Sequence, residues 1–228
     1  YSYDRRYTIN ASIRVDQSNL FGSDPSNQFK PIWSVGGVWN AKNESFLQDV
    51  NWLSKLSLRL SYGLAGNSPK PGYGSPIDII TSSTTAYVDH VAYTISSLAA
   101  NKMHWEKTTT KNLGIDYAFF NHRLYGSVDL YDKYTTDLID SKELDPTVGA
   151  TTVKSNVGEL SNKGIELLIG GAIISNRDFR WDASVNFTYN KNLLVKFYHS
   201  AYTSPTSMTT SGNVEGYPLG AMFAYDWA

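Results

Sequence analysis

The stretch FRWDASVNFTYN, residues 179–190, carries an apolar or aromatic residue at every second position (Phe179, Trp181, Ala183, Val185, Phe187, Tyr189) and a polar or charged residue at each position between. Successive side chains of an extended chain point to opposite faces. The segment therefore predicts a strand with one oily side and one side made of Arg180, Asp182, Ser184, Asn186, Thr188 and Asn190. A helix needs apolar residues three and four apart, and on that template Arg180, Asp182 and Asn186 scatter around the circumference. The oily side fits either the core of a soluble sandwich or the outer wall of a membrane barrel.

Composition narrows the classes. The chain has 228 residues, 41% of them hydrophobic and 14% aromatic, enough to bury one sizeable core. A formal net charge of -1 offers no basic face, so nucleic acid is not an expected partner. Cysteine is absent, which excludes disulfide frameworks, thiolate metal sites and thiol nucleophiles. No apolar run approaches the roughly 18 residues of a spanning helix, so any residence in a membrane is as a barrel. The opening YSYDRRY and the ending AMFAYDWA both read like the inside of a strand. A segment of a longer polypeptide is expected.

The alternation recurs along the chain. Tyr7, Ile9, Ala11, Ile13 and Val15 interleave with Thr8, Asn10, Ser12, Arg14 and Asp16, and Trp33, Val35 and Trp39 mark a weaker strand. Leu56, Leu58, Leu60 and Tyr62 alternate with Lys55, Ser57, Arg59 and Ser61; Leu113, Ile115 and Tyr117 alternate with Asn112, Gly114 and Asp116. Residues 124–131 and 165–173 repeat the pattern, and a last strand is expected over 216–225. With the opening segment this makes about eight strands.

The connections fall into two kinds. Those after Phe120 and after Ile174 are tight, whereas residues 65–103, 136–156 and 192–215 are long and rich in Ser, Thr, Gly, Pro and Tyr. Short turns at one rim alternating with long loops at the other is the arrangement of a transmembrane β-barrel. The connection over 40–52 is longer than a tight turn and departs from it. Aromatics gather at strand ends, where an interfacial girdle places them.

Other chemistries find little support. His90, His104, His122 and His199 have no ligand spacing, and no metal site or cofactor is expected. Glu106, Asp129 and Asp132 lie on or beside alternating strands and read as lumen or rim charges rather than a glycosidase pair. No nucleophile, base and orienter come together, so the chain is not expected to be an enzyme. GLAGN and KPGYG lack the Gly-Lys-Ser/Thr of a phosphate cradle.

WEKTTTKNLGIDYAFFNHRLYGSVDLYDKYTTDLI, residues 105–139, resembles the most characteristic stretch of the SusC/RagA-type TonB-dependent outer-membrane transporters. LSLRLSYGLAGN, NVGELSNKGIEL and GYPLGAMFAY resemble the same family's other barrel segments, in its order. The resemblance implies an all-β fold, a transmembrane antiparallel β-barrel of about 22 strands around a plugged lumen. Residues 1–228 then supply a contiguous part of one barrel domain, with the plug and the segment that engages TonB outside them. It implies a bacterial cell outer membrane location and TonB-driven import of a nutrient, an oligosaccharide or peptide, with a SusD-type surface lipoprotein over the mouth. No catalytic residue is implied.

On this reading Arg14, Arg59, Asp116, Glu166 and Arg180 belong to the lumen-facing wall, while Val185 and its alternates meet lipid. Tyr73, Tyr87 and Tyr93, in the long connection over 65–103, are candidate contacts for ligand or lipoprotein, since rings stack on sugars and line interfaces. A small eight-stranded outer-membrane adhesion or anchoring protein, or a soluble carbohydrate-binding β-domain, stands as the alternative. Direct pairing of residues 8–15 with 216–225, closing a small barrel, selects the former.

Overall fold

Alternating sequence becomes strand along most of the chain because one oily and one polar face fit a sheet with different surroundings on its two sides. The computed structural model describes residues 1–21, 24–69, 77–85, 88–198, 206, 209 and 213–225. Its strands are β1 (Ser2–Tyr3), β2 (Tyr7–Gln17), β3 (Phe29–Asn40), β4 (Leu53–Asn67), β5 (Ile79–Thr85), β6 (Val88–Ser97), β7 (Glu106–Phe119), β8 (Leu124–Glu143), β9 (Thr152–Ser175) and β10 (Arg180–Lys196). Eight of them form one sheet in the order β1-β2-β3-β4-β7-β8-β9-β10, all neighbours antiparallel. The hairpin β5–β6 leaves between β4 and β7 as a separate two-stranded sheet.

The register carries each apolar alternate onto the same face. Tyr7, Trp39, Leu58, Ile115, Val128, Leu167 and Phe187 stand in one row of directly paired positions from β2 to β10. The next row is Ile9, Gly37, Leu60, Leu113, Leu130, Ile165 and Tyr189. A slip of one residue in any strand would turn its whole apolar set over, so the rows fix one another. No second layer covers this face among the described residues: Ile13 is 77% and Val185 67% exposed. A soluble sandwich buries such a face, and an apolar patch of this extent needs another cover.

The small buried core lies away from the sheet's middle. Phe21, Ala100, Met103, Trp105 and Ile139 form it, where the longer connections meet β7 and β8.

Close approaches between strands also pin the register. A Cβ on Gly170 would lie 2.8 Å from the ring of Tyr125, which crosses over it from β8. Aromatic cover of a strand glycine of this kind holds two strands at one offset. The tight β7–β8 turn runs through Phe120, Asn121 and His122 at φ of 54°, 54° and 65°. Asn tolerates that left-handed backbone, whereas Phe adopts it at a cost of about 1–2 kcal/mol.

Three connections depart from the sequence reading. Strand β8 runs on to Glu143 and β9 begins at Thr152, so most of the loop expected over 136–156 is strand. Thr135, Thr136, Thr152 and Val153 are β-branched, and a hydroxyl-rich composition masks their fit to a pleated surface. Likewise β10 continues to Lys196, past the expected loop start at 192. The connection over 65–103 contains the β5–β6 hairpin.

The strand expected over 216–225 does not form; Gly216 and Gly220 have φ of 83° and 73°, and Pro218 between them lacks an N–H. This segment is tied to β10 by three hydrogen bonds: the Leu194 N–H donates to the Tyr217 carbonyl and the Gly216 N–H to the Leu194 carbonyl, both at 2.9 Å, and the Leu219 N–H donates to Asn192 Oδ1 at 2.7 Å. Strand β2 pairs with β1 and β3, not with this segment, so the small closed barrel is set aside.

Candidate functional site

The second face of the sheet is polar and cross-linked. Ser12 and Ser34 share a 2.8 Å hydrogen bond, Thr108 and Thr135 one of 2.9 Å, and Asn192 donates to Asn162 at 2.6 Å. Each bond joins neighbouring strands on the face opposite the apolar rows.

At its centre Arg59 of β4 reaches across β7. Its Nε and Nη2 donate to Oδ1 of Asp116 at 3.2 and 2.9 Å, and Nη2 also meets Oδ2 of Asp129 on β8 at 2.9 Å. Lys55 Nζ lies 3.2 Å from the other oxygen of Asp116, and Asn112 donates to Asp129 at 3.3 Å. Gly114 makes room for this crossing, because a Cβ there would sit 2.7 Å from the guanidinium carbon of Arg59. Glu166 is paired in register with Asp129. Lys55, Arg59, Asp116, Asp129 and Glu166 thus form a charged band over three pairs of strands.

The other two wall residues stand apart. Arg14 pairs with Asp16 at 3.2 Å on β2, and Arg180 forms a two-pronged contact with Asp182 on β10, at 2.7 and 3.0 Å. All five residues expected on the polar wall share its face, but only Arg59 and Asp116 touch. Tyr93 lies on β6 opposite Ser82 and is 75% exposed. Tyr73 and Tyr87 lie outside the described residues.

The WEKT stretch forms a clamp at the long-loop rim, which sequence reasoning missed. Trp105 Nε1 donates to the Gln28 carbonyl at 3.0 Å, and Glu106 accepts from Asn67 at 2.7 Å and from the Ile139 N–H at 2.9 Å. Asn156 accepts from the His104 N–H and donates to the carbonyls of His104 and Asp137. Asp137 has φ of 61° at a bulge in β8, and Lys107 lies 3.0 Å from its carboxylate. Beside this clamp is a recess of about 290 Å³ lined by Asp137, Glu159, Lys196, Tyr198 and Glu215 among others. No sequence signal joins His104 to Asn156 across so many residues. Among the described residues no cluster of side chains is arranged to hold a metal ion.

A second staple closes the tight-turn rim. Glu44, in the β3–β4 connection, is buried and accepts from the Tyr7 hydroxyl at 2.5 Å, Trp39 Nε1 at 3.0 Å and Arg6 at 3.4 Å. The Tyr7 and Trp39 donors hold its carboxyl below the usual carboxylate range. Such a depressed group stabilises the fold above its ordinary range and loses that contribution as pH falls through its folded value. Glu44→Ala is expected to destabilise the fold at pH 7, because it strands two donors, and progressively less below about pH 4. Urea unfolding across that range checks it; a pH-independent loss counts against the staple.

Residues 1–222 match the family described as TonB dependent receptor-like, beta-barrel. The chain is 36% identical over 204 residues to the TonB-dependent receptor SusC of Bacteroides thetaiotaomicron, covering 86% of this chain and 20% of that protein. It is 32% identical to the TonB-dependent receptor P3 of Formosa agariphila, covering 100% of this chain and 23% of that protein. Among solved structures, the RagAB peptide importer in its closed-closed state superposes with a TM-score of 0.80 at 33% identity, covering 96% of this chain and 24% of that one. The chain thus spans between a fifth and a quarter of the length of these relatives. They are named as receptors and a transporter, not as enzymes.

Proposed function

The chain belongs to the TonB-dependent receptor-like β-barrel family, and from that premise we propose that it forms part of the wall of an outer-membrane importer of the SusC/RagA type. The importer takes up an oligosaccharide or a peptide together with a SusD-type surface lipoprotein, and engages TonB through a segment outside these residues. The carrying observation is a single sheet with one uncovered apolar face and one charged, hydrogen-bonded face, matched along its length to SusC and RagAB. In this reading residues 1–228 belong to one barrel domain whose plug lies elsewhere in the protein.

The apolar face meets lipid and the polar face the lumen, so Arg14, Arg59, Asp116, Glu166 and Arg180 line the wall around a plug. Only a closed sheet satisfies every backbone group in hydrocarbon, and the remaining strands of the importer pair with the free edges of β1 and β10. Tight turns lie on the periplasmic side and the longer connections outside. Ile80, Val91 and Tyr93 of the β5–β6 hairpin are exposed, and an exposed apolar hairpin at the outer rim suits a lipoprotein lid.

Deleting the full-length gene is expected to abolish TonB-dependent uptake of one class, labelled oligosaccharide or labelled peptide, and to leave the other intact. Removing residues 77–98 from the full-length protein is expected to release the co-purifying lipoprotein while the barrel still resists SDS. Uptake that continues without the gene, or without TonB, overturns the importer.

A further inference from the structure

On the polar face two adjoining hollows, of about 370 and 160 Å³, share Ser61. The larger lies over Gly63 beside Ser12, Ser34 and Thr110, and the smaller over Gly36 beside Asn10 and Asn112. Glycine keeps the larger one open, since a Cβ on Gly63 would lie 3.0 Å from that of Ser34. Their floors belong to two paired rows on the long-loop side of the charged band, where an entering ligand reaches the wall first. One row holds Ser12, Ser34, Thr110, Lys133, Asn162 and Asn192, and the other Asn10, Ser61, Asn112, Tyr131 and Asn190, with glycine at the remaining positions. Neither row contains a carboxylate, and Lys133 is their only charge.

Lys133 is exposed and has no ion-pair partner among the described residues, whereas Arg14, Lys55, Arg59 and Arg180 each face a carboxylate. Its ammonium stands 5.0 Å from the centre of the Tyr131 ring, whose hydroxyl donates to Asn190 Oδ1 at 3.3 Å. The side chains of Asn10, Ser61 and Thr110 make no hydrogen bond among the described residues. We infer that this belt binds an acidic oligosaccharide, with sugar hydroxyls in the two hollows and a carboxylate or sulfate at Lys133.

Each part of the ligand answers a feature of the belt. Hydroxyl and amide side chains both donate and accept, which matches a run of sugar hydroxyls. Lys133 stands one strand on from Thr110, about 4.8 Å along the row, so one ligand reaches both with an anion and a hydroxyl. Contact with the Tyr131 ring holds the ammonium in place beforehand, so less freedom is lost on binding. A peptide brings an ammonium at its N-terminus, and these rows hold no carboxylate to receive it. The nearest, Asp129 and Glu166, stand one row closer to the tight-turn rim, in the row of Arg59. The inference rests on the importer reading, with the polar face lining the lumen, and adds the class of its ligand.

The test uses cells carrying the full-length protein and measures uptake of four radiolabelled sets: uronic-acid oligosaccharides, their carboxyl-reduced neutral forms, sulfated oligosaccharides and short peptides. Wild type is expected to take up an acidic set in a TonB-dependent manner, and the better of the two identifies the anion. Lys133→Gln is expected to lower that uptake roughly tenfold at sub-saturating ligand, as loss of one charge-assisted hydrogen bond does, while Lys133→Arg keeps most of it. Ser61→Ala combined with Thr110→Val is expected to lower it as well while the barrel keeps its resistance to SDS. Neutral oligosaccharides or peptides taken up at least as well as the acidic sets overturn the ligand class and leave the importer standing. Equal acidic uptake in Lys133→Gln and wild type overturns the site. Absence of TonB-dependent uptake of every set removes the importer and the inference with it.

Discussion

Arginine at Val185 is expected to cost the barrel about 2–4 kcal/mol of folding and insertion stability, as a charge does on the lipid face near the bilayer midplane. Val185 is the middle outward residue of the decisive segment, paired with Ile169. An arginine there has apolar neighbours at both two-residue steps along β10, Ala183 and Phe187. It has no carboxylate within its own row to answer it, since that row continues through Ile169 and Gly126 to Tyr117. Asn186→Arg, one position on, points to the other face among Glu166 and hydroxyl groups, and is expected to change stability by less than about 1 kcal/mol. Refolding of the full-length protein into lipid vesicles, followed by its shift on SDS gels, compares the two. Equal losses at both positions would mean that β10 does not separate lipid from lumen.

That contrast is legible in the amino-acid sequence, because period-two alternation assigns a face to each residue without knowledge of its neighbours. Seven of the sheet's eight strands and its polar wall follow from it, β1 being the exception. The extent of the strands does not. Thr and Ser serve loops and strands alike, so composition cuts β8 and β9 short, while Gly216, Pro218 and Gly220 break a strand that the aromatic pattern of 216–225 suggests. Contacts between distant residues stay hidden for a different reason. Trp105 and Glu106 are visible as a motif, but their partners Gln28, Asn67 and Ile139 are set by register and by a bulge at Asp137. Lys133 looks like an ordinary strand charge. Only pairing sets it in one row with Ser12, Ser34, Thr110, Asn162 and Asn192.

The polar wall depends on Arg59 in the same sense. Its guanidinium holds Asp116 and Asp129 on adjacent strands, and Glu166 stands opposite Asp129 on the next. Lys55 reaches only Asp116. Arg59→Ala therefore leaves three carboxylates in neighbouring positions with one cation at the edge, and like charges side by side in a sheet repel. A fully buried pair broken in this way costs about 3–5 kcal/mol. The Arg59 side chain is 34% exposed, so water screens part of that, and a loss of about 2 kcal/mol is expected.

Arg59→Lys is expected to recover only part of it, because an ammonium cannot fork across two carboxylates as a guanidinium does. Combining Arg59→Ala with Asp116→Asn and Asp129→Asn removes the repulsion along with the cation. If charge is the cause, the triple variant regains most of the loss, and chemical denaturation of the refolded full-length protein reads the difference. If the triple variant is as unstable as Arg59→Ala alone, the arginine acts by packing over Gly114, and the charged band is a consequence of the wall rather than a cause of its stability.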